Sequence, residues 1–239
     1  MLMECLDDRF KRILMFWLEL NLFLFPLLSL SYPTNNPHAL SSFQDAAQSK
    51  SMFENKMILA PLTRGGNLPF RRLCADFGMQ TSVSEMIYAR SLLKGNVVEK
   101  ARLRRAENEA TYGVQIATNQ IKEGIDAILE AQKMGADFCD LNCGCPIYEA
   151  TRRGLGSSLL RSPKKLNKLV KGIVDGCSGM PITVKIRLGC ESDTINCLEN
   201  VRAIREAGAA AITIHGRTAQ QGYSKNAEWD LIREAVLDN

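Results

Sequence analysis

An incomplete TIM-type (β/α) barrel is the fold class that this sequence predicts, and three observations point to it. Six apolar runs alternate with six helical patterns from Met57 onward, the beat of a parallel sheet covered by helices. Five of these runs end on groups able to hydrogen bond or move a proton: Pro61-Leu62-Thr63, Gln115, the stretch Asp140 to Pro146, Lys185-Ile186-Arg187 and His215-Gly216-Arg217-Thr218. Barrels of this kind carry their chemistry where strands end. No Gly-x-Gly-x-x-Gly follows the first run, so the doubly wound alternative lacks its main signature.

The elements follow in order. Met57 to Leu62 is an apolar run with Pro61 near its end, and Asn67 then caps a helix through Phe77 that stops at Gly78. Thr81 to Met86 is the second strand, with a polar helical stretch behind it to about Glu109. Tyr112 to Ala117 is the third. Asn119 is expected to cap the next helix, where Ile121, Ile125, Ile128 and Leu129 recur at helical spacing before Gly135. Phe138 to Cys143 is the fourth strand, and alternation sets Cys139 and Cys143 on one face with Cys145 beyond the end. Ser162 and Pro163 open a helix whose Leu166, Leu169, Val170 and Ile173 form one apolar face, leaving Lys164, Lys165, Lys168 and Lys171 outside. Pro181 to Leu188 is the fifth strand, Thr194 to Ala207 a helix, Ala210 to His215 the sixth strand and Ala227 to Val236 the last helix. Closing a barrel takes eight such units. Six predict an open sheet with edges exposed beside Met57 and Ile214.

Composition narrows the partners. The formal charge is only +4, yet Arg152 to Lys171 holds seven basic residues and no acid. Such a stripe suits phosphates, and equally suits a solvated helix face. Eight scattered cysteines in a chain of 239 residues do not make a disulfide framework. Two histidines, His38 and His215, give no zinc spacing, and no metal site is expected. Residues 1–50 are different material. Ile13 to Leu30 is apolar behind Arg9, Lys11 and Arg12 but is interrupted by Glu19, Asn21 and Pro26, and a linker rich in Ser, Pro and Asn follows it. A targeting segment, a weak anchor and extraneous sequence from a wrongly chosen start fit equally. Residues 51–239 form the barrel unit.

Together the motifs resemble the tRNA-dihydrouridine synthase family. They run in family order: Leu59-Ala60-Pro61-Leu62-Thr63 with Gly66-Asn67-Leu68-Pro69-Phe70-Arg71-Arg72, then Ser84-Glu85-Met86 and Gly113-Val114-Gln115. Next come Asn142-x-Gly144-Cys145-Pro146-Ile147, Gly154-x-Gly156, Val184-Lys185-Ile186-Arg187, and His215-Gly216-Arg217-Thr218 with Gln221 and Tyr223. The first set looks most like the eukaryotic type-3 branch. The resemblance implies an FMN-binding barrel in which Pro61, Leu62 and Thr63 line the flavin ring and Gln115, Lys185 and His215 meet its polar edge. Asn142 would lie between flavin and uracil, with Arg187 and Arg217 near the substrate or flavin edge. NADPH or NADH would reduce the FMN, a hydride would pass to C6 of a tRNA uridine, and Cys145 would protonate C5. The target base must leave its stack to reach such a site, and Arg152, Arg153, Lys164 and Lys165 would hold the tRNA backbone.

The resemblance also implies two further strands, a helical domain and zinc fingers that the sequence does not contain, so FMN held weakly or not at all is expected. It implies a cytoplasmic or nuclear protein. Two other readings stay open: another FMN barrel acting on a free pyrimidine, and an RNA-binding remnant without cofactor. Taken singly, Cys145 is a small turn thiol, Lys185 a strand-end charge and Gln115 a satisfied amide.

Overall fold

Near-continuous apolar strands need cover on both faces, and parallel pairing with helical crossovers supplies it. The computed structural model describes residues 51–223 and 225–238. The strands are β1 (Ile58–Leu59), β2 (Thr81–Val83), β3 (Ile87–Tyr88), β4 (Thr111–Ala117), β5 (Phe138–Cys143), β6 (Ile182–Arg187) and β7 (Ala211–His215). They form one sheet in the order β1-β2-β4-β5-β6-β7, with β3 also on β4, and every pairing is parallel. Sequential order in an all-parallel sheet with helices between the strands is the arc of a TIM-type barrel. Among the described residues β7 pairs only with β6, and its strand is largely half-buried, as expected of an edge. Residues 1–50, with the apolar run and its linker, lie outside the described residues. No described helix is long and apolar enough to cross a membrane.

The helices are α1 (Leu68–Asp76), α2 (Ala89–Leu93), α3 (Val97–Arg102), α4 (Ile121–Lys133), α5 (Tyr148–Thr151), α6 (Pro163–Gly176), α7 (Cys197–Glu206) and α8 (Trp229–Leu237), with a 3₁₀ turn at Gly156–Arg161. Asn67 caps α1 by accepting from Phe70 N at 3.1 Å, and Ser162 caps α6 by accepting from Lys165 N at 3.4 Å. Two expectations need correction. Asn119 does not cap α4: its amide donates to the carbonyls of Arg153 and Gly154, at 3.0 and 3.4 Å, and Gln120 stands at the cap with its side chain donating to Asn119 Oδ1 at 3.4 Å and making no capping bond. Helix α7 starts at Cys197, not Thr194, because Ile195 bridges Gly189 and Asn196 N donates to Leu188 O, holding that segment on the loop after β6.

The expected strand Thr81–Met86 is also interrupted. Val83 pairs with Gly113 and Ile87 with Ile116, so four steps on one strand oppose three on the other. The extra residue is a bulge at Ser84–Met86. Ser84 Oγ fills the gap in the ladder by accepting from Gln115 N at 3.1 Å.

Alternation divides the rest. On the outer side Val114, Ile116, Cys139, Leu141, Val184 and Ile186 pack against Ile128 of α4, Val170 and Ile173 of α6 and Ile204 of α7, all essentially buried. Each such side chain contributes about 1.5–3 kcal/mol by leaving water. On the inner side Phe138 meets Phe53 edge to face, with ring centroids 5.0 Å apart, and together with Met52 and Val83 they close the floor. Gly113 makes room for that ring: a Cβ there would lie 2.2 Å from Phe138 Cζ.

Candidate active site

Above this floor the inner side turns polar. Asp140 is buried, and each of its oxygens accepts a bond: from Gln115 Nε2 at 2.7 Å and from Thr183 Oγ1 at 2.7 Å. Burial pushes the Asp140 carboxyl up, against the bonds from Gln115 and Thr183 and the charge of Lys185; in its ionised form it only accepts, which fixes the orientation of every group above it. Gln115 must present Oε1 upward, where it accepts from Asn142 Nδ2 at 2.7 Å. Asn142 Oδ1 then accepts from Cys145 N at 2.9 Å and Gly144 N at 3.3 Å. One relay therefore runs from β6 through β5 and β4 to the loop that carries the thiol. Each amide nitrogen keeps a second hydrogen, for which no acceptor stands among the described residues.

Two glycines hold that loop down. A Cβ on Gly144 would come within 3.3 Å of the Ile186 carbonyl carbon. Gly156 has φ +61, and a Cβ there would lie 2.4 Å from Cys145 O. Only glycine combines that approach with that backbone. Ser157 N completes the clamp by donating to Cys145 O at 2.9 Å. Cys145 is half-buried, and burial pushes its thiol up, against smaller opposing pulls from the Ile147 backbone, Arg187 and Lys185. It holds its proton at neutral pH.

The charges facing the cleft are positive. Lys185 is half-buried, and its ammonium makes no hydrogen bond or ion pair among the described residues. Burial lowers its pKa to about 8, with Asp140 pulling the other way. Arg187 is buried and donates to Thr218 O at 2.8 Å. His215 is lowered to about 3 by burial and by Arg187, Lys185 and Arg217, so it is neutral across the physiological range. Arg217 Nη1 lies 3.3 Å from His215 Nε2. Arginine only donates, so Nε2 accepts and the ring proton sits on Nδ1.

Gln115, Asn142, Cys145, Lys185, Arg187 and His215 line one cleft of about 480 Å³, within the usual range of about 300–1,000 Å³ for small-molecule sites. Its first wall is Pro61, Leu62 and Thr63. That wall is latched from behind: Glu85 accepts from Arg64 N at 2.7 Å, where Arg64 has φ 65, and Arg71 donates to Gly66 O at 2.9 Å. The opposite wall, Ala219 to Tyr223, is tied to the loop after β6 through Ala219 N to Gly189 O and Gln220 N to Cys190 O. Tyr223 stacks on His215 with centroids 5.9 Å apart.

The family model described as Dihydrouridine synthase (Dus) matches residues 58–237. The chain belongs to the dihydrouridine synthase family. Relatives named tRNA-dihydrouridine(47) synthase [NAD(P)(+)] agree with the type-3 resemblance. The one from Coprinopsis cinerea is 42% identical over 188 residues, covering 77% of this chain and 28% of its own length. The Cryptococcus neoformans protein is 43% identical over 190 residues, 77% of this chain and 26% of its own. The Schizosaccharomyces pombe protein is 38% identical over 222 residues, 87% and 36%. The chain thus spans about a quarter to a third of the length of these relatives.

In this dihydrouridine synthase domain, Pro61, Leu62, Thr63, Gln115, Asn142, Cys145, Lys185, Arg187 and His215 come together in the cleft. Arg217 does not line it: its Nε donates to Lys225 O at 2.7 Å, and the guanidinium lies beside His215 and under Tyr223. Arg152, Arg153, Lys164 and Lys165 are exposed outside the cleft, on and after α5 and in the first turn of α6. Sequence reasoning missed Asp140 as the root of the relay and Ala219 to Tyr223 as a wall. An acid inside an apolar strand, two residues before Asn142, was the available signal for the first.

Proposed function

We propose that this domain carries an FMN-dependent reductase site that converts a uridine of tRNA to 5,6-dihydrouridine, with NADPH or NADH as the ultimate reductant. The observation that carries the reading is one cleft holding a protonated thiol, an ammonium without a protein partner and a flat apolar wall. These residues suit FMN. Pro61, Leu62 and Thr63 offer a surface for a flat ring, while Lys185 and the spare amide hydrogens of Gln115 and Asn142 suit an electron-rich ring edge. When bound, FMN supplies the hydride for C6 of the uracil.

The remaining work falls to the chain. Lys185 contributes positive charge while it is protonated, below a pH of about 8. Neutral His215, with Nε2 engaged by Arg217, has Nδ1–H to donate. Asn142 holds the backbone of Cys145 in place, and Cys145 Sγ holds the proton that goes to C5. Arg187, buried and fixed by Thr218 O, is set to meet a uracil carbonyl. The basic residues from Arg152 to Lys165 attract the tRNA backbone, and the names of the relatives point to uridine 47 as the target.

The test is dihydrouridine formation in tRNA lacking that modification, measured by nucleoside mass spectrometry with FMN and NADPH supplied. With FMN in excess over a weakly binding site, the wild-type chain should form it, and Cys145→Ala should lose it while binding flavin and tRNA as the wild type does. Equal product from Cys145→Ala, or reduction of a free pyrimidine but not of tRNA, would overturn the reading.

A further inference from the structure

Two tyrosines stand beside the Cys145 loop, each with an arginine over its ring. Tyr148 directly follows the cleft residues Pro146 and Ile147 and is 74% exposed. Arg152 Cζ lies 5.9 Å from its ring centroid. Tyr88 ends β3 and is half-buried, with Arg153 Cζ 5.3 Å from its centroid. Burial raises the Tyr88 phenol, and Cys145 is the next contributor, so this ring is within electrostatic reach of the thiol.

The two arginines are adjacent in sequence and diverge, one back along α5 and the other across to β3. The Arg153 backbone is anchored, since its carbonyl accepts from Asn119 Nδ2 at 3.0 Å. Neither guanidinium makes an ion pair or hydrogen bond among the described residues, although Glu149 is exposed on the same short helix. A tyrosine three-quarters in water adds little to the core. Cation-covered aromatic rings beside a cleft have the composition of a single-strand binding surface, where bases stack on rings and guanidinium planes. Arg161, Lys164 and Lys165 continue the positive charge, with Arg161 also meeting Glu191 at 3.4 Å.

We propose that the Tyr148–Arg152 and Tyr88–Arg153 pairs are stacking platforms for the bases flanking the uridine that enters the cleft. The inference rests on the proposed function, since it takes the substrate to be an extruded RNA uridine. It adds a role for these arginines beyond attraction of phosphate. Stacking tolerates any flanking base, so the platforms hold the strand open without reading its sequence.

The probe is a short single-stranded RNA with one uridine in a run of cytidines and 2-aminopurine beside the uridine. Fluorescence titration of the full chain should show quenching at that position, and weaker quenching when 2-aminopurine sits several nucleotides away. Tyr148→Ala should weaken binding about tenfold, abolish the local quenching and leave the salt dependence unchanged. Tyr148→Phe and Tyr88→Phe should behave as wild type. If RNA binds and Tyr148→Ala matches wild type in affinity and quenching, the platforms are refuted and the proposed function stands. If the wild-type chain binds no such RNA, the platforms are refuted, and the proposed function is then decided separately by dihydrouridine formation in tRNA.

Discussion

Replacing Asp140 with Asn keeps the shape of the inner layer and removes the negative charge beneath Lys185. The new amide can accept from Gln115 and donate to Thr183, whose hydroxyl can turn, so the relay survives. What changes is the lysine. Asp140 pairs in register with Thr183 and Asn142 with Lys185, which sets the two charges diagonally across neighbouring strands, about 7–8 Å apart. At an effective dielectric of about 20 their attraction is about 2 kcal/mol, or about 1.5 pH units. Lys185 titrates at about 8 in the wild type and should move to between about 6 and 7 in Asp140→Asn. At pH 7.5 the wild-type side chain would be mostly ammonium and the variant mostly free amine. Competitive acylation with an amine-selective reagent across pH 5.5–10, read by mass spectrometry of the Lys185 peptide, follows this titration without any cofactor. An unchanged midpoint in Asp140→Asn would refute the coupling and the electrostatic account of the cleft.

Other consequences are as direct. His215 titrates at about 3, below its ordinary 6.5, so the unfolded chain takes up a proton that the folded one refuses as pH falls below about 6.5. Stability should drop over that window, by at most about 1.4 kcal/mol per pH unit from this group, and urea unfolding of His215→Gln at pH 7 and pH 5 should show a smaller drop. Gly156→Ala forces a side chain onto Cys145 O in a left-handed backbone. It should cost about 1–3 kcal/mol and, by loosening the loop, speed alkylation of Cys145 by iodoacetamide. Arg71→Met strands the buried Glu109 carboxylate, which Arg71 Nε meets at 2.7 Å; a loss of about 3–5 kcal/mol is expected in denaturant unfolding.

The barrel was legible because its strands are covered on both faces, so each reads as an apolar run bounded by glycine, proline or a capping side chain. Gln115, Lys185 and His215 were legible as polar groups closing apolar runs, while their convergence on one site, with Asn142 among them, rested on the family resemblance. The bulge at Ser84–Met86 was not legible, since one extra residue leaves no mark in composition and shows only against the register of β4. Asn119 misled because an amide before a helix can serve a loop carbonyl as readily as a cap. Ile195 fits the helical period of Leu198 and Val201 yet belongs to a bridge with Gly189, so the periodic signal ran past the true start of α7. Asp140 needed a partner 43 residues away, Thr183, before its task could be seen.

The single supernumerary residue between β2 and β3 has a structural price that can be named. By interrupting the pleat it gives Glu85 a place off the ladder, where its carboxylate catches Arg64 N and stands 3.8 Å from Arg102. Removing one residue there would straighten the strand and return it to simple up-down order. The carboxylate would then swing off its catch, and the Pro61–Thr63 face would lose its backing although every residue lining the cavity remained. In this fold the width of the cleft depends on a count of residues as much as on their identity.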